Sequence, residues 1–381
     1  MISGMLVRRS ILLAALVTLA ILVGCRGKGI KPSPLPEFEP SHEVRVAWHS
    51  SAGISRSYIF SPVHIGDAVC AAGYAGRLSC FNSRNGQRIW ASSGGVVLSG
   101  GVGIVENMIL AGSTKGEVLA FGTGGTLLWR SLLSSEILSA PAGSGAIVVV
   151  RSGDNRIFGL DARDGRQLWQ HQAPEQPLTL RSNPGLAIVD NSAVISGWPG
   201  GRLAKLGITD GGLLWEIAVA TPSGDNELER ITDVAGTPLV EGGRVYAVTF
   251  QGRIGCFDAE KGTQIWARDA SSAGSISVDQ SSVYYTESDG VVVALDRATG
   301  ASVWRQEKLL HRRVSSPLVI GDWLVVGDYQ GYVHVLSRED GSFVARIGTD
   351  GSDIIAAPIQ MDERVVLLTQ SGGLYAIAIE S

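Results

Sequence analysis

The stretch Gly290 to Trp304, GVVVALDRATGASVW, decides how the rest of the chain is read. Val291, Val293 and Leu295 alternate with their neighbours, run into Asp296-Arg297-Ala298-Thr299-Gly300, and a second strand closes on Trp304. Period-two alternation predicts a strand with one face buried, and a turn ending in glycine predicts a hairpin whose last turn residue adopts positive φ at no steric cost. The unit recurs along the chain. A second glycine ten residues after the first and a tryptophan four beyond it return as Gly76, Gly86, Trp90, as Gly201, Gly211, Trp215 and as Gly252, Gly262, Trp266. Gly116, Gly125, Trp129 is one residue short, Asn155, Gly165, Trp169 lacks the first glycine, Gly331, Gly341, Ala345 lacks the tryptophan, and an eighth copy begins at Gly373.

Self-similarity at this period outranks a division of 381 residues into ordinary domains. Forty-nine glycines with only 18% charged residues suit many short strands joined by tight turns. Each unit carries two further strands before its first glycine, as in Ser315–Ile320, the turn Gly321-Asp322 and Leu324–Val326, so each is a four-stranded blade. The eighth copy stops short of its last strand, and Val44 to Trp48 is a lone strand ending in tryptophan with no unit in front of it. Joining the two predicts an eight-bladed β-propeller of four antiparallel strands per blade, closed by N- and C-terminal strands in the last blade, over residues 42–381. Trp48, Trp90, Trp129, Trp169, Trp215, Trp266 and Trp304 are then blade-docking residues of the core rather than ligand contacts.

Residues 1–24 lie outside that body. Arg8 and Arg9 precede an apolar run of 13 residues, Ile11 to Val23, and Leu22-Val23-Gly24-Cys25 follows, which resembles a bacterial lipobox. That resemblance implies a signal peptide over 1–24, lipid on Cys25 and stable anchoring by several acyl chains. Arg26 rather than Asp follows the cysteine, so the expected destination is the periplasmic face of the outer membrane. Residues 26–41, with Pro32, Pro34, Pro36 and Pro40, read as an extended tether reaching about 45 Å. Loss of residues 1–24 leaves 30 basic against 36 acidic side chains, a net charge of −6, and nothing favours nucleic acid.

Spacing marks the functional side. From one signature position to the next first glycine most units take 24 to 28 residues, but Trp169 to Gly201 takes 32 and Trp215 to Gly252 takes 37. Both insertions precede an innermost strand, so they rise as long loops on one face of two adjacent blades. The first contains Leu178, Leu180 and Arg181, an apolar pair beside a charge that suits a protein partner, although inward-folded leucines and a solvated arginine fit the residues equally. The second contains Asp225 to Asp233. Tyr74, Trp198 and Tyr329 fall in turns opening on the same face, and His311-Arg312-Arg313 adds charge there, read as a solvated edge.

Six histidines show no metal-ligand spacing, and no P-loop, GxSxG or CxxC occurs, so no metal or cofactor is expected. Cys70 and Cys80 flank the turn around Ala75 symmetrically, which allows a disulfide across a hairpin. Cys256 occupies the repeat position of Cys80, which favours a small buried side chain instead, and the sequence leaves both open.

The repeat resembles the tryptophan-docking motif of pyrroloquinoline quinone (PQQ) dehydrogenase propellers, in Ala294 to Gly300 through Trp304. Those enzymes carry a vicinal cysteine pair, absent here, and a periplasmic PQQ-dependent dehydrogenase is the rival function. The stretch Leu309-Leu310-His311-Arg312, Leu324 to Asp328, Gly331 to His334 and Glu339 to Ala345 is similar to the seventh blade of the BamB family of the β-barrel assembly machinery, including the alanine in the tryptophan place. This resemblance covers nearly the whole chain and implies a non-catalytic scaffold that binds POTRA domains of BamA and assists outer-membrane-protein insertion. It assigns the family's leucine, leucine, arginine contact to Leu178, Leu180 and Arg181. It assigns the family's Asp-x-Asp patch to Asp233-Val234-Ala235, where only the first acid is kept.

Overall fold

The computed structural model describes residues 30–174, 178–180 and 184–380, and within them every helix or strand is a strand. Eight four-stranded antiparallel sheets follow one another as blades. Blade 1 sets the plan: β2 (Val63–Ile65), β3 (Ala68–Gly73), β4 (Arg77–Asn82) and β5 (Arg88–Ser93), from the central channel outward. Blade 8 is closed from both ends of the chain, as the sequence predicts. Its β30 (Ile359–Met361), β31 (Arg364–Leu368) and β32 (Gly373–Glu380) are completed by β1 (Glu43–Ser51), with Glu43 opposite Glu380 and Ser51 opposite Gly373.

The expected single buried face is corrected in the middle strands. Val291, Val292, Val293, Ala294 and Leu295 are all buried, because each blade is sandwiched between two neighbours and both of its faces are covered. Only the outer strands alternate.

Each outer strand carries a β-bulge one residue before the signature position, as where Cys80 pairs with Trp90 but Phe81 pairs with Arg88, leaving Ile89 unpaired. The bulge re-aims the following ring across the gap to the next blade. There every signature indole donates its Nε1–H to a carbonyl in the neighbour's outer turn, at 2.7–3.3 Å: Trp48 to Ser83, Trp90 to Thr123, Trp129 to Ala162, Trp169 to Ile208, Trp215 to Ala259, Trp266 to Arg297 and Trp304 to Arg338. Five of the rings are buried, while Trp90 and Trp215 are half-buried. Burial of a large apolar side chain contributes on the order of 2–3 kcal/mol, so the joints are a main source of rigidity. The turn glycine serves twice. Gly300 has φ +71°, and a Cβ there would lie 2.6 Å from Cε3 of Trp266.

Ala345 breaks the pattern for a physical reason. A tryptophan there would need a turn joining the third and outer strands of blade 8, and those strands, β32 and β1, are not consecutive in the chain and so share no turn.

Cys70 and Cys80 are paired across β3 and β4 and joined by a disulfide, while Cys256 is free and buried. The tether reading is corrected from Ser33 onward: Ser33 and Ser41 donate backbone hydrogen bonds to Leu310 and Val344, and Arg346 donates to the Pro36 carbonyl at 2.9 Å. An extended composition here means a segment lying on the disc, not a free leash.

Candidate partner-binding face

The two long insertions meet on the face that also carries the turns between second and third strands. Val234 N–H donates to Trp198 O at 3.3 Å, and Phe250 N–H donates to Asp233 O at 2.9 Å, so the fifth-blade insertion is stitched to turns of blades 4 and 5. Asp233 is the junction. Only 2% exposed, it accepts from Leu180 N–H through Oδ2 at 2.6 Å and from Gly200 N–H through Oδ1 at 3.0 Å. One carboxylate thus ties the blade 5 insertion to the blade 4 insertion and to a blade 4 turn. Burial pushes its pKa up, against the pull of those two N–H groups and the Arg151 charge.

Arg151 lies beneath. It is buried, donates to Ser196 Oγ at 3.0 Å, to Asn155 Oδ1 at 3.1 Å and to the Gly197 carbonyl, and stacks 4.6 Å from the Trp198 ring centroid. Desolvation pulls its pKa down to about 9, with Asp233 partly opposing. Trp198, expected to open on this face, is therefore buried at 3% exposure as the platform for that cation. Arg151, Asn155, Glu136, Thr179, Leu180 and Asp233 line a cavity of about 170 Å³ between blades 3 and 4.

Among the site residues expected from sequence, Leu178 is exposed at 42% and Leu180 is half-buried over Asp233. Arg181 and Cys25 lie outside the described residues. The acidic position does not present a free carboxylate: Asp233 faces inward, and Ala235 is buried along the channel wall. Two features escaped the sequence reading. Leu228, exposed at 69%, crowns a turn of the second insertion held by Glu229 N–H to Asn226 Oδ1 at 3.0 Å. Arg151 sits in a strand, and nothing local to it announces a buried cation.

The solvated edge expected at 311–313 is corrected at Arg312, while His311 and Arg313 are exposed as expected. Arg312 is 2% exposed and forms ion pairs with Asp328 Oδ2, which accepts from Nε at 2.8 Å and lies 2.7 Å from Nη2. His334 Nε2 lies 3.0 Å from the same oxygen, and Arg346 Nε donates to His334 Nδ1 at 3.2 Å. That last bond makes Nδ1 an acceptor and assigns the proton to Nε2.

The central channel, about 530 Å³, is lined by small, apolar and hydroxyl side chains such as Val102, Ala142, Leu186, Thr237, Ser275 and Ser315. Among the described residues its lining contains no acid, base or histidine. A quinone tricarboxylate with its calcium ion needs cations for the carboxylates and carboxylates for the metal, so this lining does not fit that cofactor. Among the described residues no three of His, Cys, Asp and Glu gather closely enough to hold a metal ion.

The sequence matches the family described as "Outer membrane protein assembly factor BamB" over residues 74–306 and 288–381. The outer membrane protein assembly factor BamB of Burkholderia pseudomallei is 41% identical over 344 residues, 90% of each chain. The crystal structure of BamB from Moraxella catarrhalis superposes with TM-score 0.82 at 25% identity, covering 88% of this chain and all of that one. A quinohemoprotein alcohol dehydrogenase from Pseudomonas putida superposes with TM-score 0.70 at 12% identity, covering 88% of this chain and 75% of that one, which is a likeness of fold alone.

Proposed function

This chain belongs to the BamB family of outer-membrane-protein assembly factors, and we propose that it serves there as a lipid-anchored scaffold holding a POTRA domain of BamA against the loop face of blades 4 and 5. It is a component of the β-barrel assembly complex at the outer membrane and not an enzyme. The lipid on Cys25 keeps it at the periplasmic face, and Leu178, Leu180 and Arg181 make the contact. The observation that carries this reading is the Asp233 carboxylate, which pins Leu180 from below while Leu178 stays exposed. Asp233 is a positioning residue here rather than part of the contacting surface. An apolar anchor presented on a fixed backbone has little ordering entropy left to lose on binding.

The test is a titration of the lipid-free chain, beginning at residue 26, against the periplasmic domains of BamA. Leu178→Ala with Leu180→Ala, and separately Arg181→Glu, should each weaken binding by about thirtyfold, the equivalent of about 2 kcal/mol at an interface anchor. Wild-type affinity in both folded variants would move the contact elsewhere on the disc.

A further inference from the structure

In blades 1 to 6 the bulged aliphatic before the tryptophan stands on the outer edge of the disc: Ile89, Leu128, Leu168, Leu214, Ile265 and Val303 are 40–59% exposed. The blade 7 equivalent, Val344, is only 7% exposed. What covers it is the chain's own N-terminal arm. Ser41 N–H donates to Val344 O at 3.0 Å, and Phe38 stacks on Phe343 at 5.4 Å between centroids. The Arg346 guanidinium lies 4.9 Å from the Phe38 centroid while donating to Pro36 O, and Ser33 closes the far end through Leu310 O and Arg312 Nη1, at 2.9 and 3.0 Å.

The arm therefore runs antiparallel to β29 (Phe343–Gly348), over the whole height of the disc. It occupies the one joint whose tryptophan is missing, and two of its carbonyls are held by cations of the buried Asp328 cluster. Docking fixes where the chain leaves the propeller: at the blade 6 to blade 7 connection, on the same face as the blade 4 and 5 insertions. Residues 26–32 remain between that exit and Cys25, seven residues with a reach of about 20 Å rather than 45 Å.

We propose that residues 33–41 are a membrane-orienting arm: docked on blade 7, they hold the loop-face rim of that blade toward the lipid surface, so that anchor and partner face share one side of the disc. The proposal rests on the reading that Cys25 carries lipid.

The experiment uses the full lipidated protein on phosphatidylethanolamine and phosphatidylglycerol vesicles containing a headgroup spin-label quencher. Fluorophores go on Lys308→Cys at the arm's exit, on Lys115→Cys on the same face three blades away, and on Asp340→Cys on the opposite face of blade 7. Quenching at position 308 should exceed that at the other two at least about threefold, given so short a leash. A second variant, with residues 34–40 replaced by glycine and serine at equal length, should bring the three positions to nearly equal quenching. Equal quenching in the docked protein, or a gradient that survives the replacement, would overturn the proposal alone. Failure of the protein to float with vesicles would overturn the lipid reading and the proposal together.

Discussion

Asp328→Ala should lower the free energy of unfolding by about 3–5 kcal/mol, the cost of stripping one partner from a buried ion cluster. Asp328 and His334 are fully buried and Arg312 is 2% exposed, so neither the Arg312 cation nor the His334 N–H gains water when the carboxylate is lost. The same side chain also accepts the backbone N–H groups of Gln330 and Tyr332 at 2.9 and 3.0 Å, so the blade 7 turn loses its clamp as well. Denaturant titration of wild type and variant gives the number, and a loss below about 1 kcal/mol would mean the cluster is not the keystone its burial implies.

The cluster also sets an acid limit. Burial pushes the His334 pKa down, further lowered by Arg346 and Arg312 and opposed by Asp328. Burial alone would raise Asp328, but hydrogen bonds from His334 and Arg312 and the backbone hold it below the ordinary range. Both groups bind fewer protons folded than unfolded. A base with a depressed folded pKa gives stability that is complete above about pH 6.5 and drains away as pH falls below it, and a depressed carboxylate adds a second loss below about pH 4. Stability measured from pH 7.5 to 5 should therefore fall, and His334→Gln should flatten that slope. An equal slope in the variant would place the titrating group elsewhere.

Asp233→Ala should weaken BamA binding at least as much as the double leucine substitution, by about thirtyfold or more, with little change in global stability. Burial disfavours the charged form of this carboxylate, so its removal returns part of what its hydrogen bonds contributed, and about 1 kcal/mol is the expected net loss. The local effect is larger. The amides of Leu180 and Gly200 lose their acceptor together, and the segment that presents Leu178 is no longer held to either neighbouring loop. Hydrogen exchange at those two amides reads this directly. Unchanged protection at Leu180 with binding intact would show that the segment is ordered by something other than Asp233.

The repeating features were legible because they are local. A turn glycine, a strand of apolar residues and a tryptophan four positions on recur within fifteen residues, and counting them yields eight blades, four strands each and a ring closed by its two ends. Loop length likewise placed both long insertions on one face of the disc, where Asp233 joins them. What the sequence could not carry were pairings between distant, unrepeated positions. Leu180 and Asp233 are 53 residues apart, and Ser33 and Arg312 are 279 apart. No periodicity marks such pairs, so Arg312 reads from sequence as a solvated charge and the prolines before β1 as a free tether, and nothing in sequence shows that Asp233 is buried under Leu180. Tertiary packing reversed both readings. Closing the ring brings blade 7 against residues 33–41 and the blade 4 loop over the blade 5 loop, and in those water-poor contacts a charge persists only where another part of the chain supplies its partner.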